Sequence, residues 1–514
     1  MGLWPPPGST RVCPDTPLRI PLADGGMPGR IRVLTGDGVP VARIEPDDAG
    51  LSRRTVGGAL DDRGLPHLFR YRPFEVDHRH GVVTVHPPFE LAPATWYRIE
   101  IDGRATEWAF RTRPALPAVL DQLRVAADGT ADFCTVQGAI DAAPTGLDRP
   151  VIITVAAGHY RELCFIAEHR PPMIIRGAGR GRTVISYANN NRLNGVASDS
   201  RCRLRRLGDR DLYNGWRANV GVDAADVSFE DLTMINTTGP GGSQAEAFRG
   251  NHERLLLNRV ELIGHQDTVR VQGRAFLTEC RISGTVDFVW GTGAVYHWRN
   301  EFRSRAAGYV FQVRNGADER GHVLRDCRFS REGAVVDRSV WIARTDTSAF
   351  PHSEVSLIDC TLDRHIAPSG YLITGDGPAT AVRFAETGSR APDGSRVDLS
   401  LRTAAMRRPD RRRTAADADP ATVLDGWVPR TVNAGETAVE PGAQVVINWS
   451  APPGHSPDDL IMIGEHGVSV ESSATLGAVV VTAPRRPGRH PVSFRPVGGD
   501  SRSGATATIE VIDK

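Results

Sequence analysis

The chain lacks the features that would place it in a membrane, around a structural metal or among the serine hydrolases. No run of about 18 apolar residues occurs, so nothing reads as a spanning helix. The opening stretch, MGLWPPPGST, has neither a charged segment nor an apolar run, so no secretory leader is expected there. The seven cysteines are Cys13, Cys134, Cys164, Cys202, Cys280, Cys327 and Cys360. They form no CxxC, which argues against a zinc site and a dense disulfide framework. HExxH is absent, and the nearest approach to a nucleophile elbow, GGSQA (Gly241 to Ala245), lacks its last glycine. Lysine is nearly missing: Lys514 is the one lysine among 62 basic residues. Arginine is the better bidentate partner for carboxylates, but the bias runs the whole length and reads as coding composition. With a net charge of +1, the chain has no global attraction to nucleic acid or to a membrane.

What is present is a multidomain, mostly β chain. At 514 residues it exceeds one ordinary core, so two to four domains are expected. Alternating strands appear at Arg30 to Leu34, Val82 to His86, Trp96 to Ile101 and Trp108 to Thr112, with turn clusters such as ADGG and TGDG between strands. Short alternating strands with Gly/Pro turns suggest a sandwich over residues 1–116, ending at Pro114 and Pro117. LAPATWYRIEIDG followed by WAFRT resembles bacterial immunoglobulin-like modules. Residues 431–514 are β again (VVINW, LIMIG, AVVVT, HPVSFR, TATIEVI) and read as a second sandwich. Between the middle and this last module lies the basic run RRPDRRRT (Arg407 to Thr414), read as a solvated linker.

The middle, residues 117–430, carries a repeat. FEDLTM, LNRVEL, LTECRI, LRDCRF and LIDCTL share one template and end at Met234, Leu262, Ile282, Phe329 and Leu362. The gap before Phe329 leaves room for one more coil around Trp298 to Phe302. Units of this length, each with a short strand and no long helix, point to a parallel β-helix. Cys280, Cys327 and Cys360 share a template position and read as a stack of small buried residues. GAGRGRT (Gly177 to Thr183) is followed by no helix, so it reads as a tight turn rather than a dinucleotide fingerprint.

Within that repeat stand two aspartates. Asp267 and Asp287 each follow a matching apolar residue, Leu262 and Ile282, by five positions. On stacked coils about 4.7–4.9 Å apart, two such carboxyls cannot both ionise freely, so one is expected to hold its proton and the other to lose it. That makes an acid and a base, or an acid and a nucleophile; two polar turn residues is the plainer alternative. Gln244 and Gln266 lie about one coil apart, and their amides suit an oxyanion or, equally, a structural ladder. His265 is read as a structural donor.

These motifs together resemble the pectinesterases, which hydrolyse the methyl esters of pectin. GHYRE (Gly158 to Glu162), SQAEAF (Ser243 to Phe248), GHQDT (Gly264 to Thr268), GTVDFVWG (Gly284 to Gly291) and VLDGWVP (Val423 to Pro429) match the family's GxYxE, its QAVAL-type segment, its two aspartate motifs and its closing segment, in order. The resemblance implies an all-β architecture: a right-handed parallel β-helix flanked by N- and C-terminal β-sandwiches. It implies Asp287 as nucleophile and Asp267 as the acid, later the base. Gln244 and Gln266 would hold the oxyanion, and Arg344 would fix the Asp287 carboxylate, with no metal and no cofactor. One departure is that Thr345 and Asp346 follow Arg344 where the family has Pro-Trp. Trp290 is the expected replacement ring for substrate, since Trp341, three residues from Arg344, would face the other way on a regular strand.

The expected partner is pectin or a related acidic polysaccharide, with no nucleic acid and no membrane, and the expected state is a monomer. By the resemblance the location is extracellular. Rival readings are an esterase on another uronic-acid polysaccharide, a β-helix glycoside hydrolase using the same carboxyl pair, and a non-catalytic glycan-binding β-helix. Glycosidase chemistry needs no amide oxyanion hole, so Gln244 and Gln266 favour the esterase.

Overall fold

A computed structural model describes residues 2–22, 26–46, 53–60, 65–72, 74–77, 81–87, 90–117, 120–147, 149–194, 216–403, 411–435, 437–464, 466–497 and 505–512. Cys202 and the first half of the basic run lie outside the described residues. The central fold is a right-handed parallel β-helix, and the chain divides into two compact units.

The first unit comprises Met1–Glu253, Arg259–Arg270 and Ile282–Phe288. Its opening part has two antiparallel sheets. Leu18–Pro21, Val82–Val85 and Phe74–Asp77 make one, and Ile31–Thr35, Pro40–Ile44, Trp96–Ile101 and Arg104–Arg111 make the other. Alternate residues of both sheets, among them Leu18, Val83, Ile31, Ile99 and Phe110, share one core. The sandwich expected from the alternation is therefore present.

The rest of this unit coils through three parallel ladders. One joins Gln122–Val125, Val151–Val155, Met173–Arg176 and Val227–Glu230. A second joins Gly158–Arg161, Thr183–Tyr187, Thr233–Asn236 and Glu261–Ile263. The third joins Cys164–Ile166, Val220–Val222 and Phe248–Gly250. In-register pairing stacks like on like: Val151, Met173 and Val227 form one buried column, and Ile153, Ile175 and Phe229 the next. Each such side chain contributes roughly 1.5–3 kcal/mol of transfer free energy.

The second unit comprises Arg254–Asn258, Val271–Arg281 and Val289–Lys514. Six strands form its longest parallel ladder: Leu255–Asn258, Ala275–Thr278, Val295–Trp298, His322–Arg325, Glu354–Ile358 and Arg383–Thr387. Glu301–Val313 serves two faces, pairing Arg328–Arg331 with its first part and Val340–Asp346 with its second. The coil expected near Trp298 is there. Asn300 occupies the template's cysteine position, accepting from the Cys280 N–H (2.8 Å) and donating to the Leu277 carbonyl (2.9 Å). The cysteine stack is also as expected. Cys280, Cys327 and Cys360 are buried, and each thiol donates to a carbonyl of the coil before it. A second pair of sheets, antiparallel except where Ala438–Val439 runs parallel to Thr506–Val511, packs around Val432, Ile447, Trp449, Ile461, Phe494 and Ile509.

The template has a backbone cause. Asp231, Arg259, Glu279, Arg299, Asp326 and Asp359 occupy its third position, and each has φ between 52° and 60°. A single left-handed residue there turns the chain from one face to the next; Arg299, Asp326 and Asp359 are exposed at that corner, while Arg259 is buried against Asp231. Among the described residues, no helix is long and apolar enough to cross a membrane.

Candidate active site

The two aspartates lie on adjacent rungs of the first unit. The Asp267 N–H bonds the Val286 carbonyl at 3.1 Å, and the Thr285 N–H bonds the His265 carbonyl at 2.9 Å. One rung earlier, the Ala245 N–H bonds the Gln266 carbonyl at 3.2 Å. Gln244, Gln266, Asp267 and Asp287 are thus gathered on three consecutive levels. Asp267 (φ 66°) and Asp287 (φ 49°) are both left-handed, a conformation that costs a non-glycine residue of order 1 kcal/mol and is held by its surroundings.

Those surroundings are tight. A Cβ at Gly284 would stand 2.3 Å from Cβ of Phe288 and 2.7 Å from the His265 carbonyl, so the rungs approach this closely only over glycine. Thr268, fully buried, donates its hydroxyl to the Ser283 carbonyl at 3.0 Å. Asp287 is 3% exposed and Asp267 7%, while Gln244 and Gln266 remain half-buried. Ser243 donates its hydroxyl to the Gln244 side-chain oxygen at 3.0 Å, which keeps the amide NH2 of Gln244 as the donor facing elsewhere.

The sequence did not reveal a buried ionic triad. Arg217, 2% exposed, donates from Nε to both oxygens of Glu246 (2.8 and 2.9 Å) and from its terminal nitrogen to Asp267. Glu246 is fully buried. Two asparagines brace the triad. Asn189 donates to the carbonyls of Trp216 and Ala218, on either side of Arg217 (2.8 and 2.7 Å). Asn236 donates to the carbonyls of Asn189 and Glu246 (2.6 and 2.8 Å). Two carboxylates thus share one buried guanidinium. The available signal was Glu246 itself, an acidic residue inside SQAEAF where the similar segments carry an apolar one; a buried charge demands a partner.

GHYRE has a structural task. The Glu162 carboxylate accepts from the N–H groups of Val136 and Gln137 (2.8 and 2.9 Å), and Thr135 caps the same helix, Val136–Ala142, through the Gly138 N–H.

Arg344 and Trp290 belong to the second unit. Arg344 lies on Val340–Asp346, with its guanidinium carbon 4.8 Å from the Tyr309 ring centre. Trp290 is 2% exposed, and the Arg314 guanidinium stands 4.7 Å from its ring. The expectation that Trp290 offers an open ring is corrected: it packs in the core. The half-buried rings near Arg344 are Tyr309 and Trp341, whose centres are 5.5 Å apart. Trp341 therefore does not face away from Arg344: both are half-buried, and Ile342 and Ala343 between them are buried in succession, so the alternation along the strand breaks there. Thr345 and Asp346 end this strand and brace the turn that follows it. The Thr345 hydroxyl donates to the Phe350 carbonyl (2.8 Å), and the Asp346 carboxylate accepts from the Ser348 N–H (2.9 Å).

The pectinesterase family profile matches residues 122–403, more than half of the chain. A probable pectinesterase/pectinesterase inhibitor 39 of Arabidopsis thaliana is 28% identical over 259 residues, 49% of this chain and 46% of that protein. Pectinesterase 4 of Arabidopsis thaliana is 29% identical over 284 residues, 52% of this chain and 45% of that one. The chain thus spans about half the length of the curated relatives it matches. A pectin methylesterase from carrot matches in fold, with TM-score 0.51 and 22% identity over 59% of this chain and 93% of that one. With the aspartate motifs on adjacent rungs of a parallel β-helix and the profile spanning most of that helix, the chain belongs to the pectinesterase family.

Proposed function

We propose that this chain hydrolyses the methyl esters of galacturonic-acid units in pectin, releasing methanol and de-esterified polysaccharide. The observation that carries the reading is the stacking of Gln244, Gln266, Asp267 and Asp287 on three consecutive rungs. Asp287 attacks the ester carbonyl as the carboxylate, and the amides of Gln244 and Gln266 hold the tetrahedral oxyanion without protonating it. Asp267 passes its proton to the departing methoxide, leaving an acyl–Asp287 anhydride. Asp267 then takes a proton from water, the resulting hydroxide cleaves the anhydride, and both carboxyls return to their starting state. Arg344 is assigned to the Asp287 carboxylate by its place in the motif. Tyr309 and Trp341 are assigned to the sugar face in place of the family's tryptophan.

The test is methanol release from highly methylated pectin by the intact chain, Asp287→Asn and Asp267→Asn. Loss of at least about 10³-fold in both variants, with folding intact, is expected. Unchanged release in either variant would remove that residue from the mechanism.

A further inference from the structure

We propose that Cys13 and Cys134 form a disulfide that ties the segment ahead of the first sandwich strand to the entry of helix Val136–Ala142. The two residues are 121 positions apart in sequence, yet their sulfurs and the Asp15 carboxylate lie within 4.8 Å of one another. Both cysteines are buried, at 1% and 3% exposure, and neither belongs to the regular cysteine stack of the β-helix.

A metal is the competing occupant, and the donor set disfavours it. The Asp15 carboxylate is already committed, accepting from the N–H of Cys134 (3.0 Å) and from the N–H and hydroxyl of Thr135 (2.8 and 2.7 Å). The Arg113 guanidinium contacts the Cys13 sulfur and so stands as a cation where a metal ion would bind. In the folded chain the Cys13 thiol lies below the usual thiol range, chiefly because Cys134 donates to it and further because of Arg113, whereas Cys134 is pushed well up. Arg113 also donates to the Ala131 carbonyl at 2.7 Å, so it keeps a partner once the sulfur is neutral.

The oxidant is a low-molecular-weight disulfide such as oxidised glutathione. The Cys13 thiolate attacks one of its sulfurs and expels a glutathione thiolate. Cys134, giving its proton to solvent, attacks the Cys13 sulfur of the mixed disulfide and expels the second. Two electrons pass from the protein to the oxidant, which leaves as two thiols. Because both sulfurs end buried, the exchange belongs to folding.

The experiment uses the full chain, folded with oxidised glutathione, then denatured without reductant, alkylated and mapped. The expected result is one cross-linked species joining the Cys13 and Cys134 peptides, lighter than their sum by two hydrogen atoms, while Cys280, Cys327 and Cys360 are alkylated. Reductant should then lower Tm by several degrees, and the double variant Cys13→Ser/Cys134→Ser should lose that dependence. Alkylation of both Cys13 and Cys134 in the oxidised sample would overturn the proposal. So would one equivalent of zinc in the purified protein that the double variant lacks.

Discussion

Arg217 donates to the carboxylate of Asp267 from a position that is itself almost fully buried. Glu246, which the same guanidinium bonds, is more buried still, so one buried cation serves both acids. Removing one partner of a buried pair costs about 3–5 kcal/mol, because the remaining charge is stranded. Arg217→Gln is expected to lose that much stability, measured by denaturant unfolding. Arg217→Gln/Glu246→Gln removes charge of both signs and should recover most of it. In the double variant Asp267 lacks the cation that favours its ionised form, so the alkaline limb of methanol release against pH should move upward. A double variant with an unmoved limb would reduce Arg217 to a structural residue.

The amides make a second, separable prediction. An oxyanion donor acts on the transition state rather than on bound substrate. Gln244→Ala and Gln266→Ala should each lower kcat by about 10²–10³ with little change in KM. Ser243→Ala, which frees the Gln244 amide to turn, should have a smaller effect in the same direction. If either glutamine variant loses Tm and keeps kcat, that glutamine is a rung of a structural ladder.

What could be read from the sequence follows from what repeats. The template exposed the coils because each corner needs the same left-handed residue followed by a small buried one, as Asp326–Cys327 and Asp359–Cys360 show. The coil at Arg299–Asn300 was nearly hidden because Asn300 fills the cysteine position by hydrogen bonding instead of by apolar packing. The aspartates were legible because their motifs are local. Arg217 was not, because its bonds to Glu246 and Asp267 span 29 and 50 residues, and nothing local marks such a pairing. Trp341 was misread for a related reason: period-2 reasoning assumes unbroken alternation, and Ile342 and Ala343 are buried in succession.

The rings therefore separate by readout. Trp341→Ala should raise KM for polymeric substrate while leaving Tm nearly unchanged. Trp290→Ala should cost about 3–5 kcal/mol of stability, the range for an aromatic removed from a packed core. A Trp290→Ala protein with normal Tm and a raised KM would return that ring to the substrate site.

Glu162 predicts how stability depends on pH. Burial pushes its carboxyl up to about 7 from an ordinary 4.5, although the Val136 and Gln137 N–H groups pull the other way. The unfolded chain thus releases this proton near pH 4.5, whereas the folded chain keeps it until about 7. Between those values the unfolded state binds fewer protons, so stability falls as pH rises, and the loss is complete above pH 7. The full extent is roughly 3 kcal/mol for this group alone. Glu162→Gln keeps a carbonyl for one of the two N–H groups and sets an NH2 against the other, so it should lower Tm at pH 5. Lacking the titration, it should lose less than the parent between pH 5 and pH 8, and the two curves should converge. Thermal unfolding of both proteins across that range checks this, and parallel curves would mean that Glu162 stays ionised at the helix terminus throughout.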